Sequence, residues 1–290
     1  MDKLDNIGEN EIRIIGTNPR AQQEPPKQKK WYLAVIVIAA LIIGLIAYFI
    51  RGCKSEPTVL EEQALVESDS IVNDSSFVEI ADTIINNVSL HRYIPINAKP
   101  RLVLGLIKDI PEDYVLGAMA ADFGDYNGEY RVAGAFVHKG EMLSHSKSKY
   151  GFCALLKDTV IIGYDLSTSF FEKAIEEKGD FFRQHALVHE GEVVSKVISK
   201  ICALRRSLCR LNEGRLCIIE TDMSVSMDDF SEALRMYGVS EAIALMGTGA
   251  AVRWATDKAG RRYIAGADEY DFPNDVVNYI VWEKPNNKKK

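Results

Sequence analysis

Between Leu216 and Trp254 the sequence changes its apolar period several times without a long break, and this constrains the fold more than any other feature. Leu216 to Ile219 is a short apolar run with two β-branched residues, the pattern of a buried strand. A polar loop, Thr221-Asp-Met-Ser-Val-Ser226, follows. Ser226 with Asp229 three residues on reads as an N-cap, because the hydroxyl can accept a first-turn N–H and the acid suits the helix dipole. Met227, Phe230, Ala233, Leu234 and Tyr237 then recur at helical spacing, and Gly238 supplies a left-handed stop. Ala242 to Met246 is a second apolar strand, which runs into Gly247-Thr-Gly249 and on towards a third strand. A helical crossover of this length favours two parallel strands. Ligands of such units gather beyond the carboxyl ends of the strands, where the Glu220–Asp222 loop and Gly247-Thr-Gly249 fall.

The same stretch carries a resemblance. Ala233-Leu-Arg-Met-Tyr-Gly-Val-Ser-Glu-Ala-Ile-Ala-Leu245, followed by Met246-Gly-Thr-Gly-Ala250, is similar to a segment of the phosphodiester glycosidases. In that family a helix, a glycine and an Ala-rich strand lead to an Asp-Gly-Gly-Gly-Ser motif. Arg205-Arg-Ser-Leu208 stands where the family has Pro-Arg-Thr-Ala, which matches Arg206 and Ser207 to its Arg and Thr. Ala121-Asp-Phe-Gly124 falls near its Asn-Gly-Gly-Phe-Phe segment. Val132-Ala-Gly-Ala-Phe-Val-His-Lys-Gly140 and Ala186-Leu-Val-His-Glu-Gly-Glu-Val193 resemble two strand-turn repeats of the family. The resemblance runs over residues 100–282 and rests on the order and spacing of these segments. It implies a domain like that of N-acetylglucosamine-1-phosphodiester α-N-acetylglucosaminidases, handling sugar phosphodiesters or glycans. The family's aspartate, asparagine and final serine are replaced by Met246, Ala121 and Ala250, so the chain resembles a divergent member lacking the motif acid.

Ahead of this region lies a run of different character. Trp31 to Ile50 contains no charged group, with Trp31, Tyr32 and Tyr48 near its ends. At about 1.5 Å per helical residue it is long enough for the ~30 Å hydrocarbon core of a bilayer, and the aromatics sit where an interfacial belt belongs. A single transmembrane helix is therefore expected over 31–50. Residues 1–30 carry six Lys/Arg, three of them at Lys27, Lys29 and Lys30, whereas Arg51 and Lys54 are followed by no base until Arg92. That bias predicts a cytoplasmic tail over 1–30 and a periplasmic or otherwise extracytoplasmic C-terminal domain. Residues 55–91 hold eight Asp/Glu and no Lys or Arg, so 51–99 reads as an acidic juxtamembrane linker. The chain's net charge of −6 argues against a nucleic-acid partner.

From residue 100 to 290 short strands separated by glycine turns dominate: Leu102 to Ile107, Val115 to Ala120, Gly134 to His138, Val160 to Gly163 and Val276 to Trp282. A helix is expected within Leu166 to Lys178. The fold class expected is α+β, a mixed β-sheet flanked by helices. Among the cysteines no CxxC pair suggests zinc; Cys217 reads as a buried apolar residue, and Cys202 and Cys209 are close enough in sequence for a bridge. His185 and His189 make two ligands and no metal site. No cofactor is implied.

Cleaving a sugar-1-phosphodiester needs a carboxyl group at the anomeric centre and a cation for the phosphate. Glu220, Asp222 and Asp122 are the candidate catalytic acids. Arg206 is the best phosphate partner, with Ser207, Arg253 and the Gly247, Thr248 and Gly249 turn as further substrate-binding candidates. Each has a structural alternative: a capping acid, an ion pair, a strand exit. Three classes stay open: an active envelope glycosidase with relocated acids, a silent binder of phosphosugar or glycan, and a structural envelope protein retaining only the fold.

Overall fold

The computed structural model describes residues 63–65, 76–146, 148–157, 159–165, 167–194, 201–247, 249, 251–266 and 272–285. The expected transmembrane run and cytoplasmic tail, with Thr248 and Ala250, lie outside them. No helix among the described residues is long and apolar enough to cross a membrane.

The architecture is built from β-sheet. Three sheets and a separate two-stranded hairpin hold, in chain order, β1 (Gln63–Leu65), β2 (Phe77–Ile85), β3 (Val88–Ile96), β4 (Lys99–Leu104), β5 (Tyr114–Met119), the hairpin strands β6 (Phe123–Tyr126) and β7 (Glu129–Val132), β8 (Phe136–His138), β9 (Glu141–Ser144), β10 (Gly151–Leu156) and β11 (Thr159–Tyr164). They continue with β12 (Asp180–Gln184), β13 (Ala186–His189), β14 (Glu192–Val193), β15 (Arg206–Leu211), β16 (Leu216–Glu220), β17 (Val239–Leu245), β18 (Arg253–Thr256), β19 (Arg262–Ala265) and β20 (Asn278–Glu283). The sheet orders are β1-β19-β18-β5-β20-β4, β11-β10-β12-β8-β9 and β14-β13-β17-β15-β16-β3-β2. Among the described residues only two helices occur, α1 (Ser169–Glu176) and α2 (Met227–Tyr237). The expected α+β class with a mixed, helix-flanked sheet is thus overturned: the fold is mostly β, with its strand pairs antiparallel.

The pattern around α2 shows why. Ser226 caps the helix, its hydroxyl accepting from Asp229 N at 3.0 Å, and Gly238 ends it at φ 92°. Phe230, Ala233 and Leu234 pack on the seven-stranded sheet against Leu90, Cys217, Ile219 and Ala242. Yet β16 and β17, which the helix joins, are not neighbours. β15 lies between them, antiparallel to both, with Arg206 opposite Glu220 on one side and Leu245 on the other. The crossover keeps the two strands co-directional, but β15 supplies the hydrogen bonds that a parallel pair would have made.

Residues 77–96 also correct the expected linker. They form a long hairpin closing the seven-stranded sheet, with a two-residue turn at Asn86 and Asn87, both at positive φ (51° and 62°). Asn tolerates that region, and a turn with both residues there matches strand twist. Val78 and Tyr93 enter the central core, where the three sheets meet through Leu116, Phe136, Phe182, Leu208, Ile218 and Ile280. The domain therefore begins well before residue 100. On the outer face of the six-stranded sheet Trp254 lies across Gly117, its cross-strand partner, where a Cβ would fall inside the indole. Cys202 takes part in a disulfide while Cys209 is a free buried thiol, so those two are not joined.

Two outcomes are expected. A chain starting at residue 91 should lose cooperative unfolding, because it lacks β2 and the buried Val88 and Leu90, whereas one starting at residue 60 should melt in one transition by calorimetry. Gly117→Ala should lower stability by about 1–3 kcal/mol through overpacking against Trp254, read as a reduced Tm.

Candidate functional site

Strand alternation builds the site. On β15, Arg206 and Leu208 face the central core while Ser207 and Cys209 face α2; on β16, Ile218 and Glu220 face the central core. Arg253 on β18, from the opposite sheet, meets them there. The result is a buried ion cluster between two sheets. Arg206 Nε donates to Glu220 Oε2 at 2.7 Å, and Arg253 donates to Glu220 Oε1 through Nε at 2.9 Å and Nη2 at 2.6 Å. Tyr93 adds its hydroxyl to Oε1 at 3.1 Å, and its ring lies 4.4 Å below the Arg253 guanidinium. Arg206, Glu220 and Arg253 are 6%, 2% and 2% exposed.

The electrostatics of Glu220 follow. Burial alone would raise its pKa, but two guanidinium groups within hydrogen-bonding distance outweigh it and hold the carboxyl down to about 2. An ionised acid with both oxygens occupied has no proton to give, so Glu220 is unsuited to the catalytic role the sequence offered it.

Arg206 does a second job. Its Nη1 donates to Met246 O at 3.2 Å and Ala251 O at 3.1 Å, tying both ends of the glycine turn to β15. Gly247 is needed for that approach: a Cβ there would lie 2.6 Å from Arg206 N. Above the cluster is a small, shallow depression lined by Leu204, Arg205, Arg206, Glu220, Thr221, Gly247, Gly249, Ala251 and Gly266. Arg205 spends Nε on Val225 O and Nη2 on Ile201 O, and Thr221 Oγ1 accepts from Arg205 N. Among the described residues, neither Arg205 Nη1 nor Arg206 Nη2 has a hydrogen-bond partner.

The sequence-derived residues therefore separate. Arg206, Glu220, Gly247 and Gly249 converge on the depression, and Arg253 sits behind it as a counter-ion rather than at its surface. Ser207 points away, buried, and donates to Ile219 O. Asp222 faces the β2–β3 hairpin, accepting from Ser89 and paired with His91, which Asp82 holds from its other side at 2.6 Å. Asp122 pairs with Lys149 at 2.6 Å, beside Gln184. The three candidate acids do not share one centre. Sequence reasoning missed Arg205, Thr221 and Tyr93; the Arg205-Arg206 pair was the available signal for the first. No group of residues suited to a metal ion occurs among those described.

No family model matches the chain, and no curated protein does. Solved structures do. The catalytic domain of zebrafish N-acetylglucosamine-1-phosphodiester α-N-acetylglucosaminidase, auto-inhibited by its pro-peptide, is 14% identical, with 77% of this chain and 87% of that one covered at a TM-score of 0.48. A hypothetical protein from Synechocystis is 8% identical over 71% and 62% of the two chains, at 0.46. A putative exported protein from Burkholderia pseudomallei is 9% identical over 68% and 73%, at 0.44. These are distant likenesses of fold.

Glu220 generates a prediction. Its carboxyl titrates far lower folded than the ordinary 4.5, so the stability it contributes is fully present above about pH 4.5 and lost as pH falls towards 2. The linked free energy is about 3 kcal/mol. Glu220→Gln should cost about 3–5 kcal/mol at neutral pH by leaving two buried guanidiniums uncompensated. It should also flatten the acid limb of stability against pH, measured by denaturant unfolding.

Proposed function

We propose that the domain binds a phosphate-bearing ligand, of the sugar-phosphodiester class, in the Arg205–Arg206 depression, and that it does so without hydrolysing it. The observation that carries this reading is the charge and donor balance of the depression. Two guanidiniums, Arg205 and Arg206, line it with one carboxylate, Glu220, and Arg253 lies buried behind as a further counter-ion to that carboxylate. Arg205 and Arg206 each keep an uncommitted nitrogen. A fixed guanidinium fork suits a phosphate's oxygens, and Thr221 Oγ1 and the backbone at Gly247 and Gly249 border the same space.

The non-catalytic part of the proposal rests on the acids. Glu220 is held ionised by its counter-ions, Asp122 and Asp222 are paired elsewhere, and Met246 stands in the place where the similar family carries aspartate. Glycoside cleavage needs a proton donor at the leaving oxygen. The sugar-phosphodiester class comes from the sequence resemblance in Arg205-Arg-Ser-Leu208 and Met246-Gly-Thr-Gly-Ala250.

The proposal extends to location. The charge-free run 31–50 and the Lys/Arg excess before it support membrane attachment with the domain outside the cytoplasm. Cys202's disulfide is consistent with an oxidising compartment.

Titration calorimetry of the full-length protein with inorganic phosphate, glucose 1-phosphate and a sugar 1-phosphodiester tests this, beside an assay for sugar release. Binding is expected, weakened by about ten- to a hundredfold in Arg205→Ala, the loss of one charge-assisted hydrogen bond. Unchanged binding by that variant would refute the site, and catalysed sugar release would refute the non-hydrolytic reading.

A further inference from the structure

A second surface, on the five-stranded sheet, has the marks of a ligand platform. Tyr164 ends β11, opposite Gly151 on β10, and Tyr150 precedes that glycine. Their rings lie 6.1 Å apart at 61°, and Tyr164 continues to His189 on β13 at 5.8 Å. Tyr150 and Tyr164 are 49% and 41% exposed. Neither tyrosine hydroxyl has a hydrogen-bond partner among the described residues. Large exposed aromatics in a row are uncommon on a surface with nothing to bind.

The row is held rigidly from beneath. Arg183, 5% exposed, makes no ion pair among the described residues; it donates instead to the carbonyls of Asp165 at 2.5 Å and Ser167 at 2.8 Å, and more loosely to Tyr150 at 3.4 Å. One buried guanidinium thus joins the segment before β10 to the segment after β11, the two segments that flank the rings. Burying a cation with no carboxylate partner, only carbonyls and the Phe181 ring, is costly, and its structural effect here is to fix Tyr150 relative to Tyr164. Next to Tyr150, Lys149 adopts φ 66°, a strained region for a side chain of this kind, and sends its ammonium to Asp122 and Gln184. Asp122 Oδ1 and the exposed His185 ring remain without partners among the described residues.

We propose that the Tyr150–Tyr164–His189 row is a saccharide-binding platform, with Asp122, Lys149 and His185 as hydrogen-bonding groups at its Tyr150 end. Pyranose rings stack their C–H faces on aromatic rings, and the spacings in the row are of the order of one pyranose repeat. Their hydroxyls need donors and acceptors at the ring edge, which a carboxylate, an ammonium, an imidazole and two phenols supply. The local charge selects against a polyanion. Among the described residues, Asp122, Asp165 and Glu241 lie along the row against Lys149 and the buried Arg183, so these form no basic track for a nucleic-acid backbone. The platform stands on observations separate from the arginine depression.

The test is calorimetric titration of the full-length protein with maltotetraose, cellotetraose and chitotetraose, and with oligouridylate as the nucleic-acid arm. At least one oligosaccharide is expected to bind, about tenfold or more weaker for Tyr164→Ala and Tyr150→Ala. Tyr164→Phe, which keeps the stacking face, should lose less. Both tyrosines are exposed, so the variants should melt like the parent. Arg205→Ala should leave oligosaccharide binding intact while weakening phosphate binding, so the two sites can fail separately. Binding of no oligosaccharide, equal binding by Tyr164→Ala, or capture of oligouridylate in place of the sugars would overturn the platform.

Discussion

One carboxylate shared by two arginines between packed sheets organises this domain. Glu220, Arg206 and Arg253 come from three strands in two sheets, and each is buried in a layer otherwise filled with apolar side chains and Tyr93. Three charges in such a layer are a poor way to gain stability, because desolvation cancels much of the Coulomb attraction. What they supply is position. Glu220 can be ionised there only with both guanidiniums in place, and Arg206 can be held there only by Glu220 and the carbonyls of Met246 and Ala251. The cluster fixes the glycine turn, and with it the floor of the depression.

In the proposed function, net charge is what turns this architecture towards recognition. Two arginines neutralise one glutamate with a unit to spare, and Arg205 adds another at the rim. A site with surplus positive charge, fixed nitrogens and no proton donor suits an anion that is held rather than cleaved. The five-stranded sheet repeats the device at a second place, where Arg183 spends a buried cation on carbonyls to set two loops.

Legibility in the sequence followed the range of the interactions. The α2 cap at Ser226, its stop at Gly238 and the strands on either side are local, and the sequence shows them, although the second strand begins at Val239 rather than at the expected Ala242. The β2–β3 hairpin was readable too, since β-branched runs flank Asn86-Asn87, but the acidic content of 55–91 disguised it as a spacer. The sheet-rich class was misjudged because β15 inserts between β16 and β17, a choice made by tertiary pairing rather than by the crossover. Glu220 looked like a loop acid because its partners lie 14 and 33 residues away, on strands that no local pattern brings together. Arg206 and the glycines were legible as neighbours only through the family resemblance.

The central claim is that the buried ion cluster serves recognition rather than stability. It is tested most directly by replacing all three charges at once, Arg206→Met, Glu220→Leu and Arg253→Met, and measuring unfolding and phosphate binding on the same protein. The account predicts a folded, cooperative domain whose stability stays within about 1–4 kcal/mol of the parent and which no longer binds phosphate. Phosphate binding by the triple variant as tight as that of the parent would contradict it.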